Sequence, residues 1–475
     1  MSTPMTPPTP HFCPAYPRPR TSKASGLLMF FSARRSWLNA LYERSYRMQM
    51  GEVHLPGLDL YMVNEPAMVR QVLHDADGNF PKSALLGEAL QPLLGESIFT
   101  TNGAQWQRQR EMMDPAFAQA RLNVAFPVMR EATDAMLARL AARPDGAEHD
   151  LEVEMTHVTA DIIFRTIFSE PLTGPDAHRV FDAFSRFQAQ VPRLMVPSLF
   201  GQRWLRWPWD GWRSRRAARE IRGLLETLIR PRYAAHRGGC PATRQDILAA
   251  FLDARDPESG VPFSFEALVD QVAMLFLAGH ETSASALTWA THLLAQAPNV
   301  QARVHAEVRA QLGERAPELG DMKDMTLTRN VFRETLRLFP PVGFMARQAA
   351  GSCPMRQKQV PAGATVVVAP WLIHRHRDLW PEPDAFNPDR YDGDASRDAL
   401  KQAYLPFGMG PRVCMGAAFA LQEATLILAQ LVRHHRLEAV PGHVPQPVGR
   451  LTIRSANGVR LRMFRRTAPA AEAAA

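Results

Sequence analysis

The chain has 475 residues, 46% of them hydrophobic and 21% charged, with 55 basic and 47 acidic side chains for a formal net charge of +8. That balance fits a globular protein large enough to bury a sizeable core. No basic run with interleaved aromatics and no zinc-finger spacing accompanies the charge, so nucleic acid is set aside in favour of an acidic protein partner or a membrane surface.

Seven prolines fall in the first twenty residues, and residues 1–25 read as a flexible Pro-rich arm rather than a signal peptide. The apolar stretch 26–31 is too short to cross a bilayer. Helical periodicity is expected over 37–48, 67–73, 106–117, 122–142, 152–168, 180–190 and 214–230, the last stopping before Pro231. Strand-like alternation spans 52–63 around Gly57, and a long loop is expected over 81–103. Trp204, Trp207, Trp209 and Trp212 crowd into nine residues among Arg203, Arg206 and Arg213. Two readings of this stretch stay open: a peripheral membrane contact through 200–213, or a loop packed on its own core.

Ser264 is a plausible N-cap for a long helix that runs to 297, before Pro298. Leu268, Val272, Leu275, Gly279, Thr282 and Ala286 share one of its faces, where Gly279 opens room for a ligand against backbone. Thr282 is placed to bond an earlier carbonyl and loosen the helix. Phe332-Arg333-Glu334-Thr335-Leu336-Arg337 sets a carboxylate and a guanidinium on one helical face, ahead of the stop at Pro340-Pro341. Short strands are expected at 346–350, 365–369 and within 451–465. Near the carboxyl end, Phe407-Gly408-Met409-Gly410-Pro411-Arg412-Val413-Cys414-Met415-Gly416 frames one cysteine with glycines, ahead of a helical run from 417 to 431. A thiolate at a helix start, beside glycines that let backbone N–H groups approach, is stabilised by the helix dipole. The four cysteines lie far apart, which suggests neither disulfides nor a zinc site and makes a cytoplasmic location the default.

The F-x-x-G-x-R-x-C-x-G spacing resembles the haem-binding signature of the cytochrome P450 superfamily. Ala278-Gly279-His280-Glu281-Thr282-Ser283 is similar to its oxygen-binding groove, and Glu334 with Arg337 to its E-x-x-R helix. The resemblance covers about 37–463. It implies a mainly α fold with a smaller β-rich lobe, and haem between the long central helix and the cysteine-loop helix. The haem domain then spans 26–465, and 466–475 is a disordered Ala-rich tail. The implied activity is a monooxygenase of soluble, bacterial type that inserts one oxygen atom from O2 into a C–H or C=C bond of a hydrophobic molecule. Its cofactor is haem b (iron protoporphyrin IX) with the Cys414 thiolate as axial ligand. NAD(P)H-derived electrons then arrive through a ferredoxin or flavodoxin with its reductase, docked on Arg108 and arginines near His434.

By the same resemblance Thr282 and Glu281 are the proton-handling pair, and Glu334, Arg337 and Arg390 are a structural network fixing the cysteine loop. Trp106, Arg110, Arg347, Phe407, Gly410, Arg412 and Gly416 hold the cofactor, with the arginines and Trp106 on its propionates. Leu85, Leu86, Phe99, Met274, Leu277, Ala278, Val342, Phe344, Met345 and Thr452 line the substrate pocket. Two other readings remain, the first of which shares Cys414. A peroxygenase, isomerase or dehydratase needs no electron partner, and a haem-based sensor or electron carrier needs neither apolar pocket nor proton path.

Overall fold

The computed structural model describes residues 11–466, apart from 23–24, 26–27, 29–31, 34, 56–57, 76, 173–178, 180–181, 185, 188–189, 192–207 and 241–243. Much of the 180–190 helix and residues 200–207 of the Trp/Arg stretch therefore lie outside the described residues. Helices dominate: α1 (Pro66–His74), α2 (Ala84–Leu94), α3 (Gly103–Met113), α4 (Gln119–Ala141), α5 (Leu151–Phe168), α6 (Pro208–Arg237), α7 (Ile247–Asp253), α8 (Phe265–Gln296), α9 (Pro298–Leu312), α10 (Thr326–Leu338), α11 (Pro370–Ile373), α12 (Arg397–Ala403) and α13 (Ala417–His434). Strands β1 (Met50–Leu55), β2 (Leu58–Val63), β7 (Thr365–Val368) and β4 (Met345–Gln348) form a sheet in that order, with β2 and β7 parallel and the outer pairs antiparallel. β3 (Glu148–Asp150), β11 (Arg460–Arg465) and β8 (His435–Ala439) make a second sheet. The pairs β5 (Cys353–Met355) with β6 (Lys358–Val360), and β9 (Pro447–Gly449) with β10 (Ile453–Ser455), complete the smaller lobe.

α8 is the axis of the molecule. The Ser264 hydroxyl accepts from the Ala267 N–H at 3.1 Å and caps its start. Its apolar residues divide between two core clusters: Ala286 to Leu294 pack with α4, α10 and α13, and Leu268 to Leu277 with α2, α5, α6 and α7. A third cluster sits between the four-stranded sheet and α1.

Several local expectations were overridden. Residues 37–48 form two 3-10 turns, Trp37–Ala40 and Glu43–Tyr46, rather than one helix. The expected 81–103 loop contains α2, whose Ala89, Leu90, Leu93 and Leu94 are buried. α6 passes through Pro231, which forfeits a backbone hydrogen bond. The turn beyond it is held from outside: Arg232 grips Asp246 at 2.7 and 2.8 Å, and the Tyr233 and Phe265 rings meet at 5.3 Å. Residues 11–22, expected within a free arm, lie along the core. The Phe386 N–H donates to the Phe12 carbonyl at 2.8 Å, and the Tyr16 ring lies 6.0 Å from Tyr46 and 6.1 Å from Trp371.

Candidate active site

The cysteine loop leaves the core at Leu405 and re-enters it at α13. Gly408 (φ +74°) and Gly410 (φ +72°) occupy left-handed conformations that favour glycine. A Cβ on Gly410 would also stand 2.4 Å from the Leu73 carbonyl oxygen, so the loop presses against the end of α1. The Cys414 N–H donates to the Phe407 carbonyl at 3.0 Å and closes the loop. Burial pushes the Cys414 thiol up, while the Gly416 N–H and the Arg110 charge pull it down. Its residue surface is nonetheless accessible. Arg110 donates to the Val413 carbonyl at 2.8 Å and pairs with Asp114 at 2.6 Å, so its guanidinium braces the loop directly.

Across the core, the Thr282 hydroxyl donates back to the Ala278 carbonyl at 2.8 Å. A Cβ on Gly279 would lie 3.0 Å from the Ile163 side chain of α5, so the glycine also lets the two helices pack closely. Beside it, the Thr159 hydroxyl of α5 donates to the His280 carbonyl at 3.1 Å. Glu281 is buried and faces β10. Arg454 donates to it through Nε at 3.0 Å and Nη2 at 2.5 Å, and the Thr452 hydroxyl at 2.6 Å. Burial pushes Glu281 up, but Arg454, His280 and Thr452 outweigh it and hold the carboxyl below its usual range. The remaining Arg454 nitrogen reaches loosely toward Thr156 (3.3 Å) and Glu152 (3.5 Å). Burial pushes Glu152 up.

Beneath the cysteine loop, Glu334 accepts from Arg337 at 2.8 and 2.9 Å and from Arg390 at 2.9 Å. Arg337 spends its other three N–H groups on the carbonyls of His374, Pro383 and Ala385, at 2.7–2.8 Å. Both Glu334 and Arg337 are fully buried, at 0% exposure.

A second set of cations stands beside the loop with too few anions. Arg412 lies 5.1 Å and Lys82 6.0 Å from the Trp106 ring centre. Arg412 meets Asp75 at 3.4 Å. Arg347 is buried, its charge repelled by Arg412. The Nε atoms of Arg347 and Arg412 have no hydrogen-bond partner. Burial, then the two arginines, pulls Lys82 down to about 7, and burial with Arg412 pulls Arg347 down to about 10.

The cytochrome P450 family matches residues 31–457. The chain belongs to the cytochrome P450 family. The P450 is 32% identical to cyclooctatin synthase of Streptomyces melanosporofaciens over 407 residues, 83% of this chain and 84% of that protein. It is 31% identical to pentalenene oxygenase of Streptomyces avermitilis over 413 residues, 86% of this chain and 88% of that protein. A similar fold occurs in the crystal structure of the cytochrome P450DA heme domain, with TM-score 0.78 at 24% identity over 88% of this chain and 90% of that one. Membership makes the P450 an oxidoreductase that incorporates oxygen, built around haem.

The residues present fit that group. Two orphaned guanidinium nitrogens, on Arg347 and Arg412, and a partly buried lysine whose ammonium donates to the Ile98 carbonyl at 2.6 Å are a poor arrangement alone and a good one for a dianionic propionate edge. Lys82 is the member that motif reading passed over, because a single lysine after Phe80-Pro81 carries no spacing signal. Arg454 was missed for the same reason, and so was Glu423. Burial holds Glu423 up at about 8, and its carboxyl accepts from the Ser283 hydroxyl at 2.7 Å, joining α13 to α8.

Of the pocket residues, Met274 and Leu277 are buried on α8 and Ala278 is partly exposed. Phe344 packs against both large clusters, and Met345 lies where a Gly408 Cβ would approach its sulfur to 3.7 Å. Val342 and Phe99 are exposed. Thr452 is buried with its hydroxyl spent on Glu281, so its polar end braces that carboxylate. The side chains of Leu85 and Leu86 lie outside the described residues. Of the expected docking arginines, Arg108 is partly exposed and pairs with Asp256 at 3.4 Å; near His434, Arg433 is tied to the carbonyls of Gly313 and Arg315 while Arg436 is exposed.

Proposed function

We propose that this P450 is a monooxygenase acting on a terpenoid-type hydrocarbon skeleton at a C–H or C=C bond. The observation that carries the reading is the buried Glu281, held by Arg454 and Thr452, next to Thr282 on α8 and flanked by Leu277, Ala278 and Phe344 of one apolar cluster. The relatives named for pentalenene and cyclooctat-9-en-7-ol support the substrate class. Haem b, ligated by the Cys414 thiolate, supplies oxygen activation when bound, and the electron-rich sulfur favours O–O cleavage. Trp106, Lys82, Arg347 and Arg412 hold its propionates, while Arg110 and Gly416 keep the Cys414 loop in place. Glu281, once released from Arg454, would take a proton from solvent and hand it to Thr282 Oγ1 as that hydroxyl gives up its own proton toward the oxygen substrate. The apolar lining excludes water and orients the carbon to be oxidised.

Electrons come from a ferredoxin or flavodoxin with its reductase. Consumption of NAD(P)H and O2 with such partners supports this reading, and turnover on peroxide alone would assign a peroxygenase instead. Terpene hydrocarbons added to the haem-loaded protein should produce the absorption change of a displaced iron-bound water, with fatty acids of similar carbon number weaker. Equal or stronger response to fatty acids would overturn the substrate class.

We also propose that the start of α6 rests on an anionic membrane surface, which keeps the enzyme cytoplasmic yet close to lipophilic substrate. Trp209 and Trp212 are 65% and 54% exposed, and Arg213, Arg215, Arg216 and Arg219 are exposed beside them. Co-sedimentation with anionic vesicles tests this, and no binding with or without anionic lipid removes it.

A further inference from the structure

Trp37 opens the first 3-10 turn, far in sequence from every motif of the site. Its indole occupies a slot walled by two glycines from separate segments. A Cβ on Gly343 would stand 2.3 Å from Cζ2 and 2.6 Å from Cη2 of the six-membered ring. A Cβ on Gly449 would stand 2.3 Å from Nε1 and 2.4 Å from Cε2 of the five-membered ring. Neither glycine is in the left-handed region. Space for the indole, and not backbone freedom, is therefore what excludes a side chain at both positions.

Hydrogen bonds and an aromatic contact tie the walls of the slot together. The Gly449 N–H donates to the buried Ser36 hydroxyl at 2.8 Å, next to Trp37 in the chain. The Trp371 N–H donates to the Gly343 carbonyl at 3.3 Å, and the Ile453 N–H to the Pro341 carbonyl at 3.1 Å. Phe344 meets the indole edge-on, with ring centres 5.4 Å apart. Gly449 pairs with Ile453 in the β9–β10 ladder. The Ile453 carbonyl accepts from Ser285 Oγ at 2.7 Å and Trp289 Nε1 at 2.9 Å on α8. Thr452 and Arg454, which flank Ile453, hold Glu281.

We infer that Trp37 is a positioning residue for substrate selectivity. Its indole sets the separation between segment 341–345 and the β9–β10 hairpin, and so the placement of Phe344 and of the groups that brace Glu281. This rests on the proposed pocket reading, in which Phe344 borders the substrate. Close packing makes the effect large, because a slot this tight transmits a change of one ring to both walls.

The test uses the haem-loaded full chain and two probes that bind haem iron directly: imidazole, which needs little room, and 1-phenylimidazole, which needs the pocket. Soret-shift titrations give both dissociation constants. Trp37→Phe should change the 1-phenylimidazole constant by about tenfold, or about 1.4 kcal/mol, with imidazole within about twofold. Haem content and the carbon monoxide spectrum should stay at wild-type values. Gly449→Ala pushes the indole from the other wall and should shift the same ratio, and Trp37→Phe combined with Gly449→Ala should bring it back toward wild type. Phe344→Ala separates the two levels. If it moves the ratio while neither Trp37→Phe nor Gly449→Ala does, the positioning role is overturned and the pocket reading stands. If none of the three moves it, the pocket reading falls and this inference with it.

Discussion

Glu334 and Glu281 are both buried carboxylates gripped by the fork of an arginine, yet their enclosures differ. Around Glu334, Arg337 has all five N–H groups engaged, Arg390 adds a donor, and the Asn387 N–H (3.1 Å) and Tyr391 hydroxyl (3.2 Å) complete the shell. Around Glu281, Arg454 is 11% exposed and keeps one end on Thr156 and Glu152 with loose geometry. A fully satisfied pair has no second arrangement of comparable energy, so it suits a fixed support under the cysteine loop. A pair whose arginine already leans on another carboxylate does have one, and a carboxylate that can be released can carry a proton. The chemistry of the two pairs is the same. Closure of the shell is what differs, and the proposed roles, support for Glu334 and relay for Glu281, follow that difference.

Substitutions that open the closed shell should have the largest effect. Arg337→Ala leaves Glu334 charged and buried, and should cost about 3–5 kcal/mol, read as lost haem content and a collapsed denaturation midpoint. Retention of both would mean that the network is not the support described. Arg454→Ala should cost less, about 1–3 kcal/mol, because Glu281 can protonate once its partner is gone. Its signature is kinetic: burial then raises the Glu281 carboxyl, and the acidic limb of coupled turnover moves to higher pH. An unmoved limb would detach Arg454 from the proton path.

Acid should act on the closed side through His374, which bonds Arg337, and elsewhere in the core through His292 and His435. Burial holds His374 down at about 3 and His292 and His435 at about 4. His374 accepts the Leu405 N–H at 3.0 Å beside Arg337, an arrangement that requires the neutral ring. An unfolded chain takes up these protons near pH 6.5 and the folded one does not. Stability contributed by the neutral rings is thus fully present above about 6.5 and is lost as pH falls toward 4, at about 1.4 kcal/mol per histidine per pH unit. Urea midpoints measured from pH 7.5 to 4.5 should decline accordingly, and a flat profile would contradict the buried neutral state. The smallest change in stability, under about 1 kcal/mol, is expected for Thr282→Ala, which removes only one hydroxyl bond within α8. Its effect belongs to coupling: more peroxide released and less product per NAD(P)H consumed. Unchanged coupling would place the last proton donor elsewhere.

Motifs with internal spacing are legible in the order of residues alone. The cysteine signature, the Ala278–Ser283 groove, the Glu334–Arg337 pair, and the capped span of α8 are local patterns, and local geometry follows from them. Partners contributed by distant segments are not legible in that way. Arg454 reaches Glu281 across 173 positions and Ser283 meets Glu423 across 140. The Trp37 slot needs glycines some 300 and 400 residues away, and Gly279 alone could not say whether it made room for a ligand or for Ile163. Pro231 inside α6 and the hidden α2 show propensity yielding to packing. By itself, the sequence determined the chemistry this chain can hold, because a thiolate, a hydroxyl and a carboxylate at set spacings keep their character in any fold. How many donors close on each carboxylate was decided only by the tertiary structure, since burial and the converging donors arise from segments that meet only when the chain is folded.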